Sequence, residues 1–311
     1  MFGLLPALYM GWGIGAHDAA NAFGPQIGAN IISYRRAVIL AAVFAVIGAV
    51  VEGQKVFSTL GGITHLTVAT AIAATLAAGL TVNVMTAFGL PISTSHTIVG
   101  ALVGVGLFEG TGLNVPIVLR IGTSMMTAPI GAGMIAYLLY QGITVAAAGR
   151  LDSVIRFQRI VRYAAVLVGC YAAYALGSNN MGNAMAPAVA VGLVGPATGA
   201  VLGGVAMAAG VLTYGRNLIM MVGKRITALD PISALVAALA TAITVHLFTQ
   251  LRIPVSTSQA TVGAVVGVGL TKGIVAVNRR MFVWIPAMWV ISVLGAAAVT
   301  YLLLFGYAAI R

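Results

Sequence analysis

Charge is scarce in this chain. Only 7% of its 311 residues are charged, and only 5 of them are acidic, whereas a soluble domain carries about 25% charged residues. With 60% of residues hydrophobic, the chain cannot cover itself with a water-facing surface, and a soluble globular fold is excluded. The apolar runs reach about 20 residues without the alternation of barrel strands, which excludes a β-barrel and calls for membrane helices. The single cysteine, Cys170, sits in an apolar stretch as a packing residue and excludes an intrachain disulfide. A basic leader is also missing: the N-terminus is apolar from Phe2 with no cationic region before it, so it is expected to belong to the mature fold. The net charge of +11 does not point to nucleic acid, because the basic residues lie in short loops where cytoplasmic orientation accounts for them.

What the chain does have is a duplication. Pro91-Ile92-Ser93-Thr94-Ser95-His96, continuing to Leu107, recurs as Pro254-Val255-Ser256-Thr257-Ser258-Gln259, continuing to Leu270, with 12 identities in 17 positions and an offset of 254 − 91 = 163. The run from Gly15 to Pro25, containing His17, Asp18 and Asn21, is echoed from Gly177 to Pro187 by Asn179, Asn180 and Asn183, at an offset of 177 − 15 = 162. A third echo pairs Gly53 and Gly61 with Gly215 and Gly223. Five apolar stretches per half, some divisible, predict an all-α integral membrane protein of roughly 10 to 12 segments. The expected division is a first repeat over 1–145, a cytoplasmic linker over 146–160 and a second repeat over 161–311. The Asn-rich motif is expected to break the first helix of each half into two. Each Pro-Ser-Thr-Ser motif is expected to start a helix with its proline in the first turn, forming a helical hairpin with the stretch before it.

Loop charges test the relative orientation of the halves. Arg35 and Arg36 mark the first loop of the first half, whose later loops are almost free of basic residues; in the second half the first loop is neutral and Arg216, Lys224, Arg225, Lys272, Arg279 and Arg280 mark the later ones. The linker carries Arg150, Arg156, Arg159 and Arg162. The positive-inside rule then predicts inverted-topology repeats in the cell membrane, with both termini external and the linker cytoplasmic.

The polar residues concentrate in the duplicated motifs. A carboxylate within a membrane segment costs about 2.5–3.5 kcal/mol on insertion scales, so Asp18 is read as a cation ligand or proton carrier, holding Na⁺ if sodium is the coupling ion. Asn21, Asn180 and Asn183 supply further oxygens, although an asparagine in an apolar helix also serves to tie neighbouring helices together. Ser93, Thr94, Ser95, Ser256, Thr257 and Ser258 offer hydroxyls and free backbone N–H groups at two helix starts, where the helix dipole favours an oxyanion. Asn21 and Asn183 are counted with these as anion ligands. His17, His96 and Gln259 are candidates for proton handling or an accessory role, with simple packing as the alternative.

Together the Gly-Ala-His-Asp-Ala-Ala-Asn-Ala run, the paired Pro-Ile/Val-Ser-Thr-Ser motifs, Gly223-Lys224-Arg225-Ile226-Thr227 and Asp230-Pro231 resemble the inorganic phosphate transporter (PiT) family of cation-coupled anion permeases. The resemblance runs the length of the chain. It implies a phosphate site lined by the Asn/Asp and Ser/Thr motifs, no cofactor, no catalysis, and Na⁺ or H⁺ as coupling ion. Sulfate permeases of the same family are the alternative. One departure matters: where the family commonly carries Asn-Asp in both motifs, this chain has His17-Asp18 and Asn179-Asn180. One fewer fixed negative charge weakens one cation site and shifts weight towards sulfate, which has no proton to donate. A passive channel would not need the carboxylate, and a hydrolase would not need two equivalent hydroxyl triplets. The lipid bilayer is a partner by composition; a homodimer is compatible with the sequence, which marks no seam for one.

Overall fold

The computed structural model describes residues 2–90, 92–110, 112–147, 154–216, 230–273 and 279–310. Expectations placed on Pro91, on linker residues 148–153, on Gly223 to Thr227 and on the side chains of Arg279 and Arg280 lie outside the described residues. A single 3-10 turn, Phe2–Leu4, leads into α1 (Leu5–Gly28) and α2 (Tyr34–Glu52). A second 3-10 turn, Gly53–Val56, is followed by α3 (Phe57–Gly61), α4 (Val68–Ala87), α5 (Thr94–Glu109) and α6 (Val115–Ala147). The second half contains α7 (Val154–Ala190), α8 (Pro196–Thr213), α9 (Pro231–Gln250), α10 (Thr257–Thr271) and α11 (Arg279–Ile310). No strand occurs among the described residues.

Shifting the first half by 162 to 164 residues superposes it on the second, element by element: α1 falls on the C-terminal part of α7, α2 on α8, α4 on α9, α5 on α10 and α6 on α11. Seven segments are long and apolar enough to cross a membrane, with α2 and α3 forming one of them. α1 adds a segment with the polar motif at its centre, while α5 and α10 have 16 and 15 residues. At 1.5 Å per residue these two helices reach about 24 Å, short of a hydrocarbon core of about 30 Å. They are the inner arms of two hairpins that end inside the protein.

Two expectations need correcting. The Asn-rich motifs do not break their helices: α1 runs through Asn21 to Gly28 and α7 through Asn183 to Ala190. Their asparagines bond other side chains instead of competing for their own backbone, so the ladder stays closed. Irregular backbone falls elsewhere, at the 3-10 turn after α2 and at the hairpin tips, where buried protein groups satisfy it. The second correction concerns the hairpin helices, which do not begin at proline. Ser93 and Ser256 are the N-caps, each accepting from the backbone N–H three residues on, at His96 and Gln259 (3.1 and 3.2 Å), and Pro254 precedes its cap by two residues.

The halves interlock rather than sit side by side. α1 packs on α8 and α2 on α7, while α5 packs on α11 and α10 on α6. The contacts are reciprocal, as a two-fold relation requires. In the first pair of interfaces a Cβ on Gly15 would lie 1.9 Å from the Met207 carbonyl oxygen and one on Gly210 1.9 Å from that of Trp12; the equivalents, Gly177 against Ala45 and Gly48 against Tyr174, both measure 2.0 Å. Gly100 faces Val293 and Gly263 faces Pro129 in the same way, at 2.2 and 2.0 Å. These are backbone-to-backbone crossings that only glycine permits, and such close approach is how helices associate where no hydrophobic force separates protein from lipid.

Three basic residues mark one end. Arg162 donates to the Ile31 carbonyl (3.1 Å), Arg216 lies over the Tyr34 ring, and Lys272 lies over the Tyr140 ring and pairs with Asp230. Partial burial pushes the Asp230 carboxyl up, but hydrogen bonds from Lys272 and Ser233 and the lysine charge outweigh it and hold it at about 2.

Gly177→Ala is expected to cost about 1–3 kcal/mol of stability through the forced backbone shift, whereas Gly122→Ala, with nothing within 4 Å of its new methyl, should be silent. Thermal unfolding of both variants in detergent checks the contrast.

Candidate anion and cation site

The two hairpin tips meet α1 and α7 at the middle of the fold, and every duplicated polar residue converges there. Asp18 on α1 is 1% exposed. Its Oδ2 accepts from the Thr94 hydroxyl at 2.8 Å and the Asn180 amide at 2.6 Å, and its Oδ1 accepts from Asn21 at 3.3 Å. On the equivalent side Asn180 donates to Thr257 at 3.1 Å. Asn21 donates to Ser258 at 3.2 Å and Asn183 to Ser95 at 2.9 Å. Each of those serines then donates to the tip of the opposite hairpin: Ser95 to the Val255 carbonyl at 2.9 Å and Ser258 to the Ile92 carbonyl at 3.1 Å. The bonds from Asn21 and Asn183 to the two serines, and from those serines to the opposite tips, obey the two-fold relation.

Equivalent residues touch on the axis itself. Asp18 meets Asn180, and His96 meets Gln259, Nε2 to Nε2, at 3.5 Å. Two carboxylates 3 Å apart would repel; here one of the pair is an amide that donates to the other. Asp18 has three neutral donors, and the ion pairs among the described residues are made by Glu52 and Asp230, so none reaches Asp18. A buried carboxylate held only by neutral donors is a place for a mobile cation or a proton. No three His, Cys, Asp or Glu side chains gather among the described residues. Any cation there would be held by one carboxylate with amide, hydroxyl and carbonyl oxygens, a set suited to Na⁺ rather than to a transition metal.

Thr94 and Thr257 open α5 and α10, so two helix N-termini with their free N–H groups are brought to one region. The Oδ1 of Asn183 and the Oε1 of Gln259 are buried there without a donor. Ser93 and Ser256, expected among the anion ligands, use their hydroxyls as caps. His17 does the work of an amide. The imidazole lies with Nδ1 2.8 Å from the Thr86 hydroxyl oxygen, and with Nε2 3.1 Å from the Ile92 carbonyl oxygen and 3.4 Å from the Ile92 amide nitrogen. Asn179, its equivalent, donates to Thr249 at 2.9 Å and accepts the Val255 N–H at 3.0 Å. This geometry gives His17 the task of fixing the tip.

Two groups were not visible in the motifs. Trp289 on α11 stacks on His96 at 6.4 Å between ring centroids. Glu52 and Lys55 pair at 2.8 Å, and Glu52 extends the group to His246 at 2.9 Å, Gln250 at 2.9 Å and, through His246, Tyr171 at 2.8 Å. Glu52 has Tyr214 as its equivalent and Tyr171 has Tyr9, and on that side Tyr9 stacks on Trp12 and Trp12 on Tyr214. The two ends of the site therefore differ in chemistry. Only contacts across helices reveal either group, since each residue looks ordinary in its own segment.

Interlocked helical repeats around a symmetric polar centre define a membrane transporter of the duplicated, hairpin-bearing kind. The sequence pattern of the phosphate transporter family matches residues 14–156 and 146–300, and the chain belongs to that family. A solved structure described as the sodium-dependent phosphate transporter is similar over 100% of both chains, with a TM-score of 0.93 and 25% identity. A protein of Chlamydia pneumoniae named as a phosphate permease is 28% identical over 422 aligned positions, covering 100% of this chain and 98% of its own. The chloroplastic inorganic phosphate transporter 2-1 of Arabidopsis thaliana is 27% identical, over 97% of this chain and 71% of its own.

His17→Asn is expected to keep the fold and phosphate uptake, since Asn179 makes the same bonds, whereas His17→Leu orphans a buried amide and costs about 1–3 kcal/mol. Thermal unfolding and uptake by the pair would check this; an inactive, folded His17→Asn would mean the imidazole moves protons.

Proposed function

We propose that this protein imports inorganic phosphate across the cell membrane in symport with Na⁺ or H⁺, by alternating access around the paired hairpin tips. The observation that carries the reading is Asp18: a carboxylate 1% exposed, without a cationic partner among the described ion pairs, bonded to a hydroxyl and amide network at the first turns of both hairpin helices. The anion sits at the N-termini of α5 and α10, with Thr94, Ser95, Thr257, Ser258, Asn21 and Asn183 as its ligands. Its coupling cation sits at Asp18 with Asn21, Asn180 and Asn183. Ser93 and Ser256 shape the site as caps.

Coupling follows from electrostatics. A divalent anion enters a negative cell against about 2.3 kcal/mol per charge per 100 mV, and a co-transported cation offsets both that cost and the cost of bringing an anion near Asp18. Sodium is favoured by the similarity to a sodium-dependent transporter, and Asn180 in place of a second acid implies a smaller cation load than a two-carboxylate site would carry.

The domain reading is two repeats, 1–145 and 161–311, around a cytoplasmic linker, 146–160. The basic end formed by Arg162, Arg216 and Lys272 supports placing that end inside, with both termini outside. Hairpin α4–α5 then enters from the outside and α9–α10 from the inside, which accounts for their meeting tip to tip.

Asp18→Asn is expected to leave a folded protein that has lost gradient-driven uptake of labelled phosphate into liposomes by at least about a hundredfold, as for loss of an essential charge. Concentrative uptake by that variant under either a Na⁺ or a proton gradient would sink the cation-site assignment. Uptake of sulfate in place of phosphate by the unaltered protein would replace the substrate.

A further inference from the structure

The phosphate network leaves two buried polar atoms beside His96 without partners, and they are complementary. One is an acceptor. Gln259 is 5% exposed, its backbone N–H is given to Ser256, and its side-chain amide nitrogen faces His96 Nε2 at 3.5 Å. That orientation fits an imidazole protonated at Nδ1, which is 2.6 Å from the Ser93 hydroxyl oxygen, with Nε2 as the acceptor. The Gln259 Oε1 then points away from His96, buried and without a donor. The other atom is a donor. Trp289 lies with its ring 19° from parallel to that of His96, and its Nε1–H is buried with no acceptor. An indole N–H only donates and an amide oxygen only accepts, so the ligand that satisfies both must accept at one point and donate at another.

This corner breaks the symmetry of the site. The equivalent of Gln259 is His96 itself, and the equivalent of Trp289, counting 289 − 164 = 125, is Met125. Unpaired buried polar groups cost about 1–3 kcal/mol each, and a duplicated site had a symmetric apolar alternative, a second methionine, at position 289. Both atoms stand unpartnered beside the first turns of α5 and α10.

Resting on the phosphate reading above, the geometry points to His96, Gln259 and Trp289 as a hydroxyl-reading pocket. The Gln259 Oε1 accepts the P–OH proton, the Trp289 Nε1–H donates to a phosphoryl oxygen, and His96 holds Gln259 in the orientation that presents its oxygen. Both charge forms of phosphate near neutral pH carry a P–OH; sulfate and monofluorophosphate have the same tetrahedral shape and no such proton. The pocket is therefore a specificity determinant, selecting by the penalty an unmet acceptor imposes on the wrong anion.

The test is equilibrium binding of labelled phosphate to the purified protein, competed by monofluorophosphate and by sulfate. The unaltered protein should prefer phosphate to monofluorophosphate by about tenfold or more, the worth of one buried hydrogen bond to a charged ligand. Gln259→Met, close in volume but without the acceptor, should lose about tenfold in phosphate affinity and nothing for monofluorophosphate, so that the preference disappears. Trp289→Phe should weaken both anions alike. Equal losses for both anions in Gln259→Met, or no loss in either, would overturn the proposal, as would a loss confined to phosphate in Trp289→Phe. If Gln259→Met does not fold by size-exclusion profile, Gln259→His, which restores an acceptor nitrogen, should keep the preference, and its loss there counts equally against the pocket. Absence of phosphate binding to the unaltered protein would instead refute the phosphate reading, a result distinct from failure of the pocket.

Discussion

A single buried carboxylate sets the terms for the rest of this protein. Asp18 lies at the centre of the interlocked halves, 1% exposed, and an uncompensated charge there costs several kilocalories per mole. No lysine or arginine pairs with it among the described residues. It surrounds the carboxylate with the Thr94 hydroxyl and two amides, donors that orient the group without cancelling its charge. A resident cation would fix the site in one state; a mobile one makes occupancy, and so the conformational equilibrium, depend on the solution on either side.

The two-fold arrangement gives that centre its second property. Ser95 reaches across to the tip carrying Val255, and Ser258 to the tip carrying Ile92, so each hairpin is held by the other's first helical turn. The two tips are thus linked to each other through a short chain of hydroxyls. The ends are not alike. One has the Glu52, Lys55, His246 and Gln250 network, and the other the Tyr9, Trp12 and Tyr214 stack. Ionic and amide hydrogen bonds hold one side and aromatic packing the other.

Much of this could be read from the chain because duplication marks function twice. The Ser-Thr-Ser triplets and the Asn-bearing motifs stand out against an apolar background, and their equivalence at a shift of 162 to 163 residues places them on one symmetric site before any coordinates. What failed to show was geometry across helices. The uninterrupted course of α1 depends on Asn21 finding Ser258, a residue 237 positions away; without that partner the motif looks like a helix break. His17 looks like a proton carrier by residue type, and only its place against Thr86 and the Ile92 backbone, matched by Asn179 against Thr249 and the Val255 backbone, shows it tying down a hairpin tip. Trp289 sits in a long apolar helix whose sequence contains no sign of His96. Local pattern reports which residues are unusual for a membrane; it does not report which of them are already satisfied.

The central claim is that cation and phosphate share the Asp18 centre and so must bind as coupled ligands. Reciprocity requires each to raise the affinity of the other by the same factor. The most direct measurement is the phosphate dissociation constant of the purified protein titrated against Na⁺ at fixed pH, and against pH at fixed Na⁺. A fall in Kd of about tenfold or more with one of the two cations, abolished in Asp18→Asn, is the predicted result. A phosphate Kd indifferent to both would contradict the claim.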